Sequence, residues 1–324
     1  AYFYSNASDK LIKIRLSDFS RVGSISSTWW SITSGVIDDI NGFIYLVSST
    51  TPAKIVKIRL SDFSVQGLFT STNGGFNSAV IDKTNGFLYV GASGSKIEKI
   101  RVSDMTSVVT LQLNVPDVSY YTKSAVFDSV NGFIYWGIDQ RLIIKMRVSD
   151  FTEVSQLQLT TYNYETLAGV GATINSSSGY AYFITRNGNG NVSSKLYKIR
   201  LADFSLAQRM DLNVIDFGGA GRIPILIEPS NSNGYVLINP IGGSIGRVVK
   251  IDAHTNYVTL GTLAGQTLRA DGTVTFNYLD NAKASTGKSS NNNFTLNATT
   301  GSMIDNTTPG GRTSYSSYEA TEVR

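Results

Sequence analysis

The sequence predicts an all-β fold, a β-propeller of four-stranded blades with a polar C-terminal extension. Three observations predict it. The string Lys-Ile-Arg-Leu-Ser-Asp-Phe-Ser fills residues 13–20 and again 57–64, and imperfect copies begin at Lys99, Lys145, Lys198 and Lys250. Their spacings of 44, 42, 46, 53 and 52 residues fall in the range of propeller blades. A second motif precedes most copies: GVIDDINGFIYLV from Gly35, AVIDKTNGFLYVG from Ala79 and AVFDSVNGFIYWG from Ala125, with weaker forms from Ala172 and Ile225. Finally, aromatic residues make up 11% of the chain while charged residues are only 16%, a balance that favours strands.

Each repeat resolves into four strands taken in order. A short apolar run such as SAVID leads into a turn carrying Asn-Gly, and an alternating aromatic run such as GFLYVG follows; together these spell a β-hairpin. The Lys-Ile-Arg run is the third strand, since Ile14 and Leu16 alternate with Lys13 and Arg15. Ser17, Asp18 and Phe19 form its exit turn. A fourth run, such as RVGSIS or SVVTLQL, completes the blade.

Blade number follows from counting strands. The third strand has six copies, and the N-terminal AYFYSN aligns with a second strand whose blade lacks its first. If TLRAD, residues 267–271, returns to fill that place, the ring closes with six blades, the count the sequence favours. Seven blades result if TVTFNY, residues 273–278, opens another blade finished from the tail. The propeller is therefore expected over residues 1–280, with repeats near 13, 57, 99, 145, 198 and 250. Residues 281–324 form a tail in which Gly, Ser, Thr and Asn supply 25 of 44 residues, the composition of a linker. Within it, NNNFTLNATT alternates enough to become a strand if an acceptor edge is offered.

Composition excludes several classes of function. There is no cysteine, hence no disulfide, thiolate nucleophile or Cys-bound metal. The net charge is +4, but the cations recur once per repeat instead of clustering, so no nucleic-acid surface is expected. No apolar run is long enough to span a bilayer. A start at Ala1, already inside a strand-like run, is what signal-peptide removal or a fragment leaves. The single histidine, His254, offers no zinc site by itself and is expected in a surface turn. GGSIG, residues 242–246, has the spacing of a nucleophile elbow but lies between strands, not at a strand-to-helix turn. Asp-rich turns such as Asp38-Asp39 offer calcium too few oxygens. No cofactor, metal or catalytic residue is expected, and the protein reads as a non-enzyme.

The motif pair SAVIDxxNGFxYxG and KIRLSDF resembles the YVTN-type β-propeller repeats of secreted and cell-surface prokaryotic proteins. The resemblance covers roughly residues 1–271 and implies a propeller used in surface layers, in adhesion and occasionally in catalysis. The last two repeats depart most from the pattern, and the tail lies outside it.

Two sets of candidate functional residues remain. In a propeller the loops that enter the first strands share one face, and here they vary between repeats and are aromatic. Trp29, Trp30, Phe76, Tyr120, Tyr121, Tyr164 and Arg222 are the candidates for stacking on a glycan or holding a peptide, with Tyr162, Phe217, Lys123 and Glu165 nearby. The competing expectation is that these rings plug the channel. Sequons place candidate glycosylation at Asn6, Asn175, Asn191, Asn293, Asn297 and Asn306. The resulting expectation is an extracellular or cell-surface structural or adhesive glycoprotein, self-associating into filaments or a surface layer by C-terminal strand addition to a neighbour. The alternative is a carbohydrate- or peptide-binding module using its aromatic face.

Overall fold

A computed structural model describes residues 1–5, 10–18, 20–26, 31–117, 120–159, 165–187, 194–211, 225–227, 233–238, 247–252, 258–262, 264–268, 273–279, 291–297 and 303–305. These residues form seven antiparallel sheets in strict chain order. The first has three strands, β1 (Tyr2–Ser5), β2 (Lys10–Ile14) and β3 (Arg21–Ser26). The second has four, β4 (Ile32–Asp38), β5 (Phe43–Ser48), β6 (Ala53–Arg59) and β7 (Val65–Ser71). The third comprises β8 (Phe76–Asp82), β9 (Phe87–Ala92), β10 (Lys96–Arg101) and β11 (Thr106–Gln112). In the fourth are β12 (Thr122–Asp128), β13 (Phe133–Ile138), β14 (Leu142–Arg147) and β15 (Thr152–Gln158). The fifth runs β16 (Glu165–Asn175), β17 (Tyr180–Asn187), β18 (Lys195–Arg200) and β19 (Ser205–Asp211), and the sixth β20 (Ile225–Ile227), β21 (Asn233–Ile238), β22 (Arg247–Asp252) and β23 (Val258–Thr262). The seventh is β24 (Ala264–Leu268), β25 (Thr273–Leu279), β26 (Asn291–Asn297) and β27 (Met303–Asp305).

Four strands per unit, as read from the repeat, hold for every sheet except the first. The expected return of residues 267–271 to the first sheet is corrected. Thr267 and Leu268 pair with Thr275 and Val274 of β25, because the two runs are joined by only a short connection and form a local hairpin. Strand pairing also continues past residue 280: β26 lies along β25 with Phe294 opposite Phe276, and β27 pairs with β26.

Sequence dictates the hairpin turns. Asp38, Asp82 and Asp128 end the first strands and are buried. Each accepts bonds from the backbone and side-chain amides of the Asn three residues on, as in Asn41 Nδ2 to Asp38 Oδ2 at 2.8 Å. The Asp38 carbonyl accepts from Gly42 N at 2.8 Å, and Gly42 has φ +76°, a conformation glycine adopts without cost. The Asp-rich turns thus satisfy their own carboxylates.

The core lies between successive sheets. Tyr45, Val47 and Ile55 of the second sheet pack with Phe76, Leu88, Val90 and Ile100 of the third. Equivalent layers join the third to the fourth sheet and the fourth to the fifth. The first strands touch one another in succession, β4 to β8, β8 to β12, β12 to β16 and β16 to β20. They form the inner wall, and where Gly91 of β9 meets the first strand β12 the packing is tight: a Cβ at Gly91 would stand 2.1 Å from Thr122 Oγ1 of the next sheet.

Candidate functional site

The repeated Lys-Ile-Arg-Leu-Ser-Asp-Phe string proves to be a clasp between blades. Arg59 pairs with Asp62 at 3.0 Å, and the same (i, i+3) pair recurs at Arg15–Asp18, Arg101–Asp104, Arg147–Asp150 and Arg200–Asp203. The second oxygen of each Asp accepts from a hydroxyl two residues on, Ser64 at 2.7 Å in this copy. Bonds from the Ser20 amide and hydroxyl, with help from Arg15, hold Asp18 down to about 2. The Phe of the turn takes positive φ, +54° at Phe63 and +55° at Phe151. That geometry sends its ring to the preceding sheet, where Phe63 meets Tyr2 at 5.9 Å and Phe151 meets Tyr89 at 6.0 Å.

The lysines complete the clasp. Each stands opposite a tyrosine, Lys13 to Tyr2, Lys57 to Tyr45, Lys99 to Tyr89 and Lys145 to Tyr135. Lys57 Nζ lies 4.3 Å from the centre of the Phe43 ring and donates to Val102 O at 2.8 Å in the next sheet. Its pKa is lowered by burial, partly offset by Asp38. The cations are therefore spent on aromatic rings and carbonyls.

On the variable face the candidates separate. Phe76 is fully buried in the core, and its carbonyl accepts from Thr33 Oγ1 at 2.6 Å. It is corrected from an exposed stacking ring to a core residue, since it opens β8 and lies in the core layer shared with Tyr45, Val47 and Ile55 of the second sheet. Tyr120 packs partly into the core between the third and fourth sheets. Tyr121 is 43% exposed, with Lys123 Nζ 5.0 Å from its ring centre. Lys123 in turn pairs with Asp139 at 3.4 Å, and Asp139 Oδ2 accepts from Tyr121 N at 3.2 Å. Asp139 opens the 3-10 turn Asp139–Arg141, whose Arg141 is buried with φ +65°. Sequence reasoning missed Asp139 and Arg141, which lie in a loop outside both repeated motifs. Trp29, Trp30, Tyr162, Tyr164, Phe217, Arg222, His254 and residues 242–246 lie outside the described residues. Among those residues no three His, Cys, Asp or Glu side chains are grouped to hold a metal ion.

Among the sequons, Asn175 is corrected. It is buried beneath its turn, its Oδ1 accepts from Ser177 and Ser178, and its Nδ2, the atom a glycan would join, is enclosed. Asn293 and Asn297 lie on β26. Asn6, Asn191 and Asn306 lie outside the described residues.

The first sheet carries the other feature of note. The register makes Tyr2 of β1 equivalent to Tyr45 of β5 and Tyr89 of β9, since each faces the repeat lysine. Strand β5 is flanked by β4 and β6, whereas β1 is an edge strand. Among the described residues no strand pairs with β1 on the side away from β2, the position a first strand takes in the other sheets. A groove of about 260 Å³ occupies that position, lined by Tyr2, Tyr4 and Leu11 on one side and by residues of β4 on the other. Exposure along β4 records the gap: Ile37 is 41% exposed, while its equivalent Ile81, covered by the second sheet, is 9% exposed.

Comparison with known proteins adds to this geometry. Among the solved structures that the chain matches is the one titled Kuenenia stuttgartiensis Hydrazine Synthase, with a TM-score of 0.59 and 8% identity. The match covers 88% of this chain and 97% of that one. The fold is a β-propeller. At such low identity the likeness speaks for fold alone. No family model matches the chain, and no curated protein matches it. No helix among the described residues of this propeller is long and apolar enough to cross a membrane.

Proposed function

We propose that this propeller is a non-enzymatic, extracellular or cell-surface structural glycoprotein of the YVTN type that assembles with copies of itself by strand addition. The observation that carries the reading is the first-strand position beside β1, which no described strand fills, with its groove between β1 and β4, where Ile37 is exposed and Val36 half-buried. An uncovered sheet edge beside uncovered apolar surface pairs readily with another strand, which supplies backbone hydrogen bonds and buries the apolar residues together. A contact of one face with a different face on the next copy does not close on itself, so it propagates into filaments or layers. The repeat cations, tied into clasps, leave no charge cluster for a nucleic acid. Electron microscopy of the purified full chain tests the reading: filaments or sheets are expected, and monodisperse single particles at every concentration would overturn it. A chain ending at Asp271 is expected to lose assembly.

A second reading rests on Tyr121, an exposed ring at the mouth of the variable face with Lys123 and Asp139 beside it. Such a ring offers a stacking platform for a sugar, with both charges placed to bond its hydroxyls. A glycan array separates this reading from the first.

A further inference from the structure

We infer that the strand filling the first-strand position beside β1 is the segment around Met303–Asp305 of a second copy of the chain. The inference rests on the assembly reading above and names its donor and register.

Sequence identifies the donor. The first strand of the second sheet reads Ile-Thr-Ser-Gly-Val-Ile-Asp, residues 32–38, and residues 299–305 read Thr-Thr-Gly-Ser-Met-Ile-Asp. Thr33, Ile37 and Asp38 recur as Thr300, Ile304 and Asp305; Ser34-Gly35 becomes Gly301-Ser302, and Val36 becomes Met303. The same small-apolar-apolar-Asp ending closes β8 and β12, as Ala79-Val80-Ile81-Asp82 and Ala125-Val126-Phe127-Asp128. After Asp305, Asn306-Thr307 matches Lys83-Thr84 of the third repeat in position. The tail thus holds a sequence of the first-strand type.

That segment sits at a different place in its own chain. Among the described residues β27 is the outermost strand of the seventh sheet, where Met303 pairs with Leu296, Ile304 with Thr295 and Asp305 with Phe294. The outer strands β11 and β15 of the third and fourth sheets are largely exposed, the latter reading Thr-Glu-Val-Ser-Gln-Leu-Gln. A first-strand sequence at an outer edge is paired on one side, which leaves it open to exchange.

The acceptor fits the donor. In the second and third sheets Val36 faces Tyr45 and Val80 faces Tyr89, while Gly35 faces Leu46 and Ala79 faces Val90. Transposed to β1, Met303 stands opposite Tyr2 and Ser302 opposite Phe3. The incoming strand then lies on β4 as β4 lies on β8, and Ile37 becomes covered as Ile81 already is. The donor is assigned to a second copy because the assembly reading calls for a strand from a neighbour, and return of the chain's own segment is the competing outcome that the test separates. The exchange links the seventh sheet of one copy to the first of the next, head to tail.

Cysteine pairing tests this directly, because the chain has no cysteine of its own. Full-length Phe3→Cys and Ser302→Cys chains are mixed, allowed to assemble and oxidised; Phe3 is 56% exposed, so its replacement leaves the core untouched. A covalent dimer made of one chain of each kind, seen on a non-reducing gel, is the expected result. If the doubly substituted chain instead forms only an internal bond and the mixture forms none, the segment returns to its own first sheet and the inference is overturned. No bond in either sample while filaments persist by microscopy overturns the donor and leaves the assembly reading standing. Absence of both bond and filaments overturns the assembly reading as well. Hydrogen exchange on the unmodified protein gives an independent measurement. The β1 amides that face away from β2 are expected to slow on assembly, and unchanged exchange in assembled protein would overturn the register.

Discussion

Lys57 Nζ donates to the carbonyl oxygen of Val102 at 2.8 Å, so a side chain of the second sheet bonds the backbone of the third. Lys13 does the same to Leu60 O at 3.0 Å, from the first sheet to the second. In each case the ammonium also sits over rings of its own neighbourhood, Phe43 for Lys57 and Tyr2 for Lys13. Lys57→Met keeps the aliphatic stem and removes the donor and the cation. It leaves a part-buried carbonyl without its partner, a loss of about 1–3 kcal/mol. Urea unfolding is expected to shift accordingly, with Lys10→Met, at an exposed position, unchanged as the control. Equal midpoints for the two variants would show that the clasp does not contribute to stability.

The inner wall sets a second expectation. Gly91 faces Thr122 and Ser78, whose oxygens would stand 2.1 and 2.8 Å from an added Cβ. Thr122 is fully buried and has no room to retreat. Gly91→Ala is therefore expected to cost about 1–3 kcal/mol by overpacking, and more if the third and fourth sheets part. Gly132→Ala, where nothing lies within 4 Å but φ is +71°, is expected to cost only the smaller left-handed penalty of about 1–2 kcal/mol. Thermal unfolding of both variants separates contact from conformation, and a milder effect at Gly91 than at Gly132 would contradict the packing argument.

Much of this architecture was legible because the repeat is a ruler. The Asn-Gly turns, the four-strand unit and the match of AYFYSN to the second strands all follow from aligning repeats. The fate of residues 267–271 was not legible, since TLRAD carries no first-strand ending and its partner was decided by the nearby β25. Phe76 misled for a related reason. It begins a strand instead of ending a loop, and nothing in a linear sequence shows that it lies in a core layer shared with the second sheet. The site around Tyr121 was half visible: the ring and Lys123 stood out, but Asp139 reaches them from a loop 18 residues on.

Acid titration should report on the clasps. Asp62, Asp104, Asp150 and Asp203 are each lowered from 3.8, chiefly by the neighbouring Ser or Thr hydroxyl, with Arg adding to it, and Asp18 lies at about 2. A folded pKa below the unfolded one gives stability that is present above the unfolded value and lost as pH falls through the folded one. The loss is therefore expected between about pH 4 and pH 2. Each pair is exposed and contributes little alone, so the combined variant Asp62→Asn, Asp104→Asn, Asp150→Asn is the informative one. Its denaturation midpoint is expected to vary less over that window than that of the unmodified chain. Parallel curves would remove the clasps from the account of acid stability.

Ligand binding at Tyr121 is a separate matter. If the exposed ring is a stacking platform, Tyr121→Ala is expected to abolish any glycan-array signal while leaving the melting temperature within about 2 °C, as for a surface substitution. The same should hold for Trp29→Ala with Trp30→Ala if those residues share the site. An unchanged array in all of these variants would leave the variable face without a sugar-binding role.

The alkaline limb follows from tyrosines inside the sheets. Tyr45, Tyr89 and Tyr135 are buried at the centre of their blades, and burial raises each well above 10, with Asp38, Asp82 and Asp128 adding to it. Tyr182 rises to about 12, mainly by burial. In the fifth repeat Asn175 stands at the position of Asp38, Asp82 and Asp128, and there Tyr180 adds to the effect of burial. A raised pKa contributes stability that is complete below the unfolded value and is lost as pH climbs past it towards the folded one. Stability is thus expected to fall steeply above about pH 10. The exposed tyrosines should ionise gradually near that pH, and the buried ones should ionise together with loss of sheet structure. Tyrosinate absorbance followed alongside circular dichroism tests this, and the variant Asp82→Asn is expected to move the cooperative step to higher pH, nearer the behaviour of an uncharged turn, only if the turn tolerates the amide. Asn175 already shows that it does, holding its own turn through Ser177 and Ser178. Complete ionisation of all tyrosines near pH 10 with the sheets intact would contradict the buried placement.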